Sequence, residues 1–132
     1  MEHVAIVVEK LAAGMQMLED VFGLSLGYTQ ESPIARLALY PVGDSNLELV
    51  EAKSEDSRSA RWLAQKGQGL YHICFEVDDI VAALEELRAK GIKLQDEVPR
   101  PGHGGSQVAF LDPESTGSLL IELVEMPAGS GH

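Results

Sequence analysis

Two histidines and two glutamates recur at matched places along the chain. Near the C-terminus, Leu119-Leu120-Ile121-Glu122-Leu123-Val124-Glu125 is an apolar run of β-formers with a carboxylate in its middle. A buried Glu is costly unless something pairs with it. The same cluster occurs earlier as Leu47-Glu48-Leu49-Val50-Glu51, so Glu-Leu-Val-Glu is spelled twice, 74 residues apart. The segments E-H-V-A-I-V-V and Y-H-I-C-F-E-V align in the same way, setting His3 on His72 at a separation of 69 residues. Each half thus supplies one imidazole and one carboxylate. A pseudo-twofold arrangement would bring the four groups together. That donor set suits a divalent first-row ion, and Zn²⁺, Ni²⁺, Co²⁺, Mn²⁺ and Fe²⁺ all remain open. Four protein ligands on a six-coordinate ion would leave two cis positions for substrate oxygens.

Each of these residues also has an ordinary structural explanation. A histidine near a chain terminus is commonly a surface residue. A Glu within an apolar strand can face solvent from a one-sided sheet, since strand side chains alternate and Glu51 and Glu125 have the opposite parity to Glu48 and Glu122. His103, in a Gly-rich stretch, is a weaker candidate that could close over a site or simply lie on the surface. Cys74 shares its face with His72 by parity and reads as a small core or cleft thiol, with no base at a recognisable spacing.

The elements that must position these residues follow from periodicity. Residues 3–8 read as a strand. Residues 10–22 read as a helix with Leu11, Met15, Leu18 and Phe22 on one face, stopped by Gly23; Gly14 inside it should cost ~1 kcal/mol against Ala. Strands are expected at 24–30, 35–40 and 47–51, with turn chemistry over 41–46. A linker helix spans 54–67, with capping residues Ser54 and Asp56 and a packed face of Ala60, Leu63 and Ala64. The second half repeats the order: a strand over 70–77, a helix over 79–90 capped by Asp78 or Asp79 and stopped by Gly91, and strands at 92–97, 107–111 and 119–125. Pro99 to Gly105 reads as a loop, and Asp112-Pro113 as a turn. The fold expected is α+β: two tandem βαβββ modules (1–52 and 70–126) in one domain covering 1–132, forming a curved eight-stranded sheet, with a flexible tail over 127–132.

The formal charge of −11, from 21 acids against 10 bases, argues against nucleic-acid binding. A local basic patch (Arg58, Arg61, Lys66) could still serve a small anion. No apolar run approaches the ~20 residues of a membrane span, and neither a span nor a signal peptide is expected. Cys74 is the single cysteine, which excludes an internal disulfide and points to a cytoplasmic protein.

Paired βαβββ modules with a His and a Glu from each resemble the vicinal oxygen chelate, or glyoxalase-fold, superfamily. Within it, Tyr40-Pro41-Val42-Gly43-Asp44 leading into Leu47-Glu48-Leu49, Ser57 to Leu63 with Lys66-Gly67-Gln68-Gly69, His72 to Ile80, Pro99 to Gly105, and Val108 to Leu111 through Ile121-Glu122-Leu123 look like methylmalonyl-CoA epimerases. The resemblance implies metal ligands at His3, Glu48, His72 and Glu122, a divalent cofactor, an acyl-CoA thioester substrate and a homodimer. It implies abstraction of the proton α to a thioester carbonyl, with Glu48 and Glu122 as the symmetrically placed candidate bases. Three positions depart from the family pattern. Tyr71 precedes His72 where a second histidine is common, Glu114 follows Asp112-Pro113 where a Lys is often found, and Arg36 stands where some members carry a proposed base Glu. Glyoxalase I (lactoylglutathione lyase), with a similar ligand set, and non-catalytic small-molecule binding are the alternative readings.

Overall fold

A computed structural model describes residues 1–128. The part of the expected flexible tail from residue 129 onward lies outside the described residues. The chain forms two compact units, His3–Tyr71 and the chain from His72 onward together with Met1–Glu2. The described residues contain eight strands and three α-helices. None of the helices is long and apolar enough to cross a membrane.

In the first unit, β1 (His3–Val7) leads into α1 (Leu11–Gln16), which continues as a π-helical turn over Met17–Val21. Then come β2 (Tyr28–Glu31), β3 (Ala35–Val42) and β4 (Ser45–Ala52), in the spatial order β2-β3-β4-β1. β1 and β4 are parallel, and the other pairs are antiparallel. The strand expected over 24–30 begins only at Tyr28. The turn expected over 41–46 narrows to Gly43-Asp44, with Val42 paired to Ser45 and Gly43 at φ 59. That is the two-residue hairpin loop whose twist suits antiparallel strands.

Alternation divides this sheet into two faces. Val8, Ala38, Tyr40 and Leu49 join Leu11 in the core beneath α1. Gly14 belongs to that packing. A Cβ there would meet Leu49 Cδ1 at 3.0 Å, so the glycine that weakens the helix lets it approach β4. Tyr40 donates its hydroxyl to Glu19 Oε2 at 2.7 Å, and burial raises its pKa well above the ordinary value. α2 (Arg58–Lys66) belongs to the same unit. Its cap is Ser57, which accepts from Ala60 N at 3.1 Å, rather than Ser54 or Asp56. Ala64 is exposed, while Ser59 is buried.

The second unit repeats the pattern with β5 (Gly69–Glu76), α3 (Ile80–Ala89), β6 (Arg100–Pro101), β7 (Gln107–Phe110) and β8 (Ile121–Glu125), in the order β5-β8-β7-β6. Asp79 caps α3 by accepting from Ala82 N at 3.1 Å. Ile80, Leu84, Ala109, Leu111 and Leu123 form its core. The sixth strand is not where periodicity places it. Residues 92–97 form no strand of their own: they make the bridge Leu94–Leu111 and a few backbone hydrogen bonds to Phe110 and Asp112, and the strand lies inside the expected loop, where Arg100 pairs with Val108 and Pro101 with Gln107. Proline is tolerated there because the strand lies at an edge.

The second Glu of each Glu-Leu-Val-Glu does the same work in both units. Glu51 Oε1 accepts from Leu11 N at 2.7 Å, and Glu125 Oε1 accepts from Ile80 N at 2.9 Å. Each carboxylate satisfies the first N–H of its unit's helix, where the helix dipole also favours negative charge.

Candidate metal centre

The first Glu of each repeat faces the other way. In the first unit, Glu48 lies opposite Ala5 on the parallel strand β1, two residues beyond His3. In the second, Glu122 lies opposite Cys74 on β5, two residues beyond His72. The registers are identical: His and Glu sit diagonally on one sheet face, away from the helix. Parallel pairing with a period of two puts them there, since a slip of one residue would send either side chain into the helical core.

Both pairs are close. His72 Nε2 is 3.1 Å from Glu122 Oε1, and His3 Nε2 is 3.9 Å from Glu48 Oε1. His3, His72 and Glu122 are buried, at 8%, 6% and 8% exposure, which rules out the surface and solvent-facing explanations for them. Ligands ~2.1 Å from a common ion lie roughly 3 Å apart when cis and roughly 4 Å when trans, so both spacings suit shared coordination. The donor chemistry, imidazole nitrogen with carboxylate oxygen, also fits a divalent first-row cation.

Cys74 is fully buried, opposite Glu122 in register and on the face of His72, as its parity predicts. His103 opens a 3₁₀ turn, His103–Gly105, between β6 and β7. Arg36 is held elsewhere: it lies opposite Glu51 and its Nη1 donates to Glu51 Oε2 at 2.6 Å, on the helix side of the sheet. Tyr71 packs its ring against Trp62, with centroids 5.9 Å apart, so this position serves packing within the first unit. A cavity of about 430 Å³ in the first unit is lined by Ile6, Val8, Gly14, Leu18 and Leu49. It lies on the helix side, and none of the four candidate ligands lines it.

Three residues beside the second pair were not singled out by the sequence. Phe110 lies opposite Glu122 and meets the His72 ring edge-on, with centroids 5.2 Å apart. The Arg100 guanidinium sits 5.9 Å from the Phe110 ring centre. Asp96 Oδ2 accepts from Phe110 N at 2.9 Å and lies 3.3 Å from Arg100 Nε. The one available signal was a lone Arg between two prolines ahead of a Gly-rich run.

The chain as a whole is similar to known proteins. The family model of the glyoxalase/bleomycin resistance protein/dioxygenase superfamily matches residues 2–110, and the chain belongs to that superfamily. An uncharacterized Bacillus subtilis protein is 34% identical over 134 residues, covering 100% of this chain and 95% of its own. The mitochondrial methylmalonyl-CoA epimerase of Bos taurus is 32% identical, with 93% of this chain and 72% of the relative aligned. A solved methylmalonyl-CoA epimerase in complex with methylmalonyl-CoA and NH₄⁺ matches at a TM-score of 0.87 and 31% identity, over 97% of this chain and 94% of that one. The α+β, glyoxalase-type fold of two βαβββ modules is the fold of this chain.

Proposed function

We propose that this chain is a methylmalonyl-CoA epimerase, in which His3, Glu48, His72 and Glu122 together hold one divalent cation. The observation that carries the reading is the identical diagonal placement of a His–Glu pair in both units, on the face opposite the helices. The epimerase relatives supply the reaction class.

A proton α to a thioester carbonyl is only weakly acidic, and its removal places negative charge on the carbonyl oxygen. A divalent cation at the four residues would supply the Lewis acidity that stabilises that charge. The chain's own task is to move the proton. One carboxylate, Glu48 or Glu122, takes it from C2 as the C–H electron pair enters the enolate, and the other returns a proton to the opposite face. Inversion needs a group on each side of the carbon, and each repeat supplies one candidate carboxylate for that task. His3 and His72 would serve as nitrogen donors to the cation and do not enter the proton transfer.

The test is incubation with methylmalonyl-CoA in D₂O under saturating Co²⁺, following deuterium at C2. The expected result is exchange together with interconversion of the two epimers. His72→Ala should lose metal affinity and rate together. Glu122→Gln should depress turnover even where the metal is restored, because an amide cannot carry the proton. Absence of exchange with every divalent metal, alongside turnover of the methylglyoxal–glutathione hemithioacetal, would reassign the protein to glyoxalase I chemistry.

A further inference from the structure

In the second unit, β7 outruns its outer neighbour. β6 pairs only with Gln107 and Val108 and stops short of Phe110, the last residue of β7. Asp96 stands in for the missing strand. Its Oδ2 accepts from Phe110 N at 2.9 Å, and its own N–H donates to Phe110 O at 3.1 Å. One buried residue thus holds both backbone groups of Phe110. The side chain of Phe110 belongs to the candidate metal centre. Phe110 lies opposite Glu122, and its ring meets the His72 ring at an interplanar angle of 76°, with centroids 5.2 Å apart. Arg100 Nε lies 3.3 Å from Asp96 Oδ2, and its guanidinium is 5.9 Å from the centre of the same ring.

We propose that Asp96 is a positioning residue for the metal ligand His72, acting through Phe110. The inference deepens the epimerase reading and rests only on its metal-centre part. The last torsion of a histidine side chain has broad wells, so burial alone does not fix the plane of the imidazole. Edge-to-face packing against an aromatic ring narrows that freedom. Phe110 can impose the restraint only if its own backbone stays in place at the end of its strand. The two hydrogen bonds from Asp96 hold it there, and His72 Nε2 stays directed at Glu122 Oε1, 3.1 Å away. Groups behind a metal's ligands set its affinity by orienting them. The role asks Asp96 for an acceptor oxygen rather than for a charge.

Asp96→Asn, Asp96→Ala and Phe110→Leu are compared with the wild type under conditions where urea titration shows each to be folded. Calorimetry gives the Co²⁺ affinity, and NMR follows the His72 ring protons in the metal-free protein. Asp96→Asn keeps an oxygen for Phe110 N and should match the wild type in both. Asp96→Ala should weaken Co²⁺ binding roughly tenfold and move the His72 resonances, because the Phe110 ring no longer acts from a fixed position. Phe110→Leu removes the ring and should weaken Co²⁺ as much; it decides the matter if Asp96→Ala does not fold. Wild-type Co²⁺ affinity in Asp96→Ala or in Phe110→Leu would overturn the proposal and leave the metal centre standing. A loss in Asp96→Asn equal to that in Asp96→Ala would overturn it too, since the charge of Asp96 would then be what acts on the cation. A wild type that binds no Co²⁺ removes the metal centre and this inference together. The expected affinities without C2 exchange would remove only the epimerase reading.

Discussion

At the scale of single residues, the two glutamates of each Glu-Leu-Val-Glu have separate duties set by strand parity. Glu48 and Glu122 face the histidines; Glu51 and Glu125 cap the helices. Glu51 shows the thermodynamic consequence. The Leu11 N–H, and after it the Arg36 guanidinium, hold its pKa below the ordinary carboxylate value of 4.5 against the opposing effect of burial. A carboxylate depressed in the folded state stabilises above the unfolded value, and that contribution is lost as pH falls through the folded one. Glu51→Gln should therefore destabilise the protein at pH 7, by about 1 kcal/mol given the partial exposure of the Arg36 pair. The gap between variant and wild type should close as pH drops below about 4. Urea denaturation at pH 7 and pH 3.5 checks this; a gap that is constant or widens in acid would contradict it.

At the scale of elements, the β6–β7 hairpin depends on glycine more than its sequence suggests. Gly102 donates to Ser106 O at 2.9 Å, and a Cβ there would meet Ser106 Oγ at 2.6 Å and Val108 Cγ1 at 2.8 Å. Gly102→Ala must shift the hairpin that carries Arg100, with an expected loss of about 1–3 kcal/mol from overpacking. Urea denaturation checks this, and full stability would show that the hairpin tolerates the added methyl. α3 offers a contrasting case. Asp79→Ala removes only the cap to Ala82 N, so it should lower stability by about 1 kcal/mol with no effect on KM.

At the scale of the whole molecule, the proposal that the two His–Glu pairs form one centre has its own signature. A cation that binds only the folded protein raises the unfolding temperature through linkage. Co²⁺ should stabilise the wild type, and His3→Ala, Glu48→Ala, His72→Ala and Glu122→Ala should each remove most of that shift. Were the shift to vanish for His72→Ala and Glu122→Ala yet survive for His3→Ala and Glu48→Ala, the second unit would bind metal by itself. Scanning calorimetry with and without Co²⁺ decides between these outcomes.

The repeat was legible in the sequence, and with it the module order, a cap for α3 at Asp78 or Asp79, its stop at Gly91, and the candidacy of His3, Glu48, His72 and Glu122; the structure chose Asp79. These rest on local signals: a period of two or 3.6, a capping side chain, a carboxylate where an apolar residue belongs. It misplaced β6 because Ile92, Leu94 and their neighbours carry strand-like periodicity but find only one bridge, whereas Arg100 and Pro101 pair for reasons of hairpin geometry that composition does not record. It missed Asp96, Arg100 and Phe110 because their association is made by cross-strand register and by one buried carboxylate reaching a backbone N–H. Only the tertiary structure could decide that Glu122 is buried against His72, since alternation allows the same residue to face either the site or water. Parallel pairing of β5 with β8 fixes the choice.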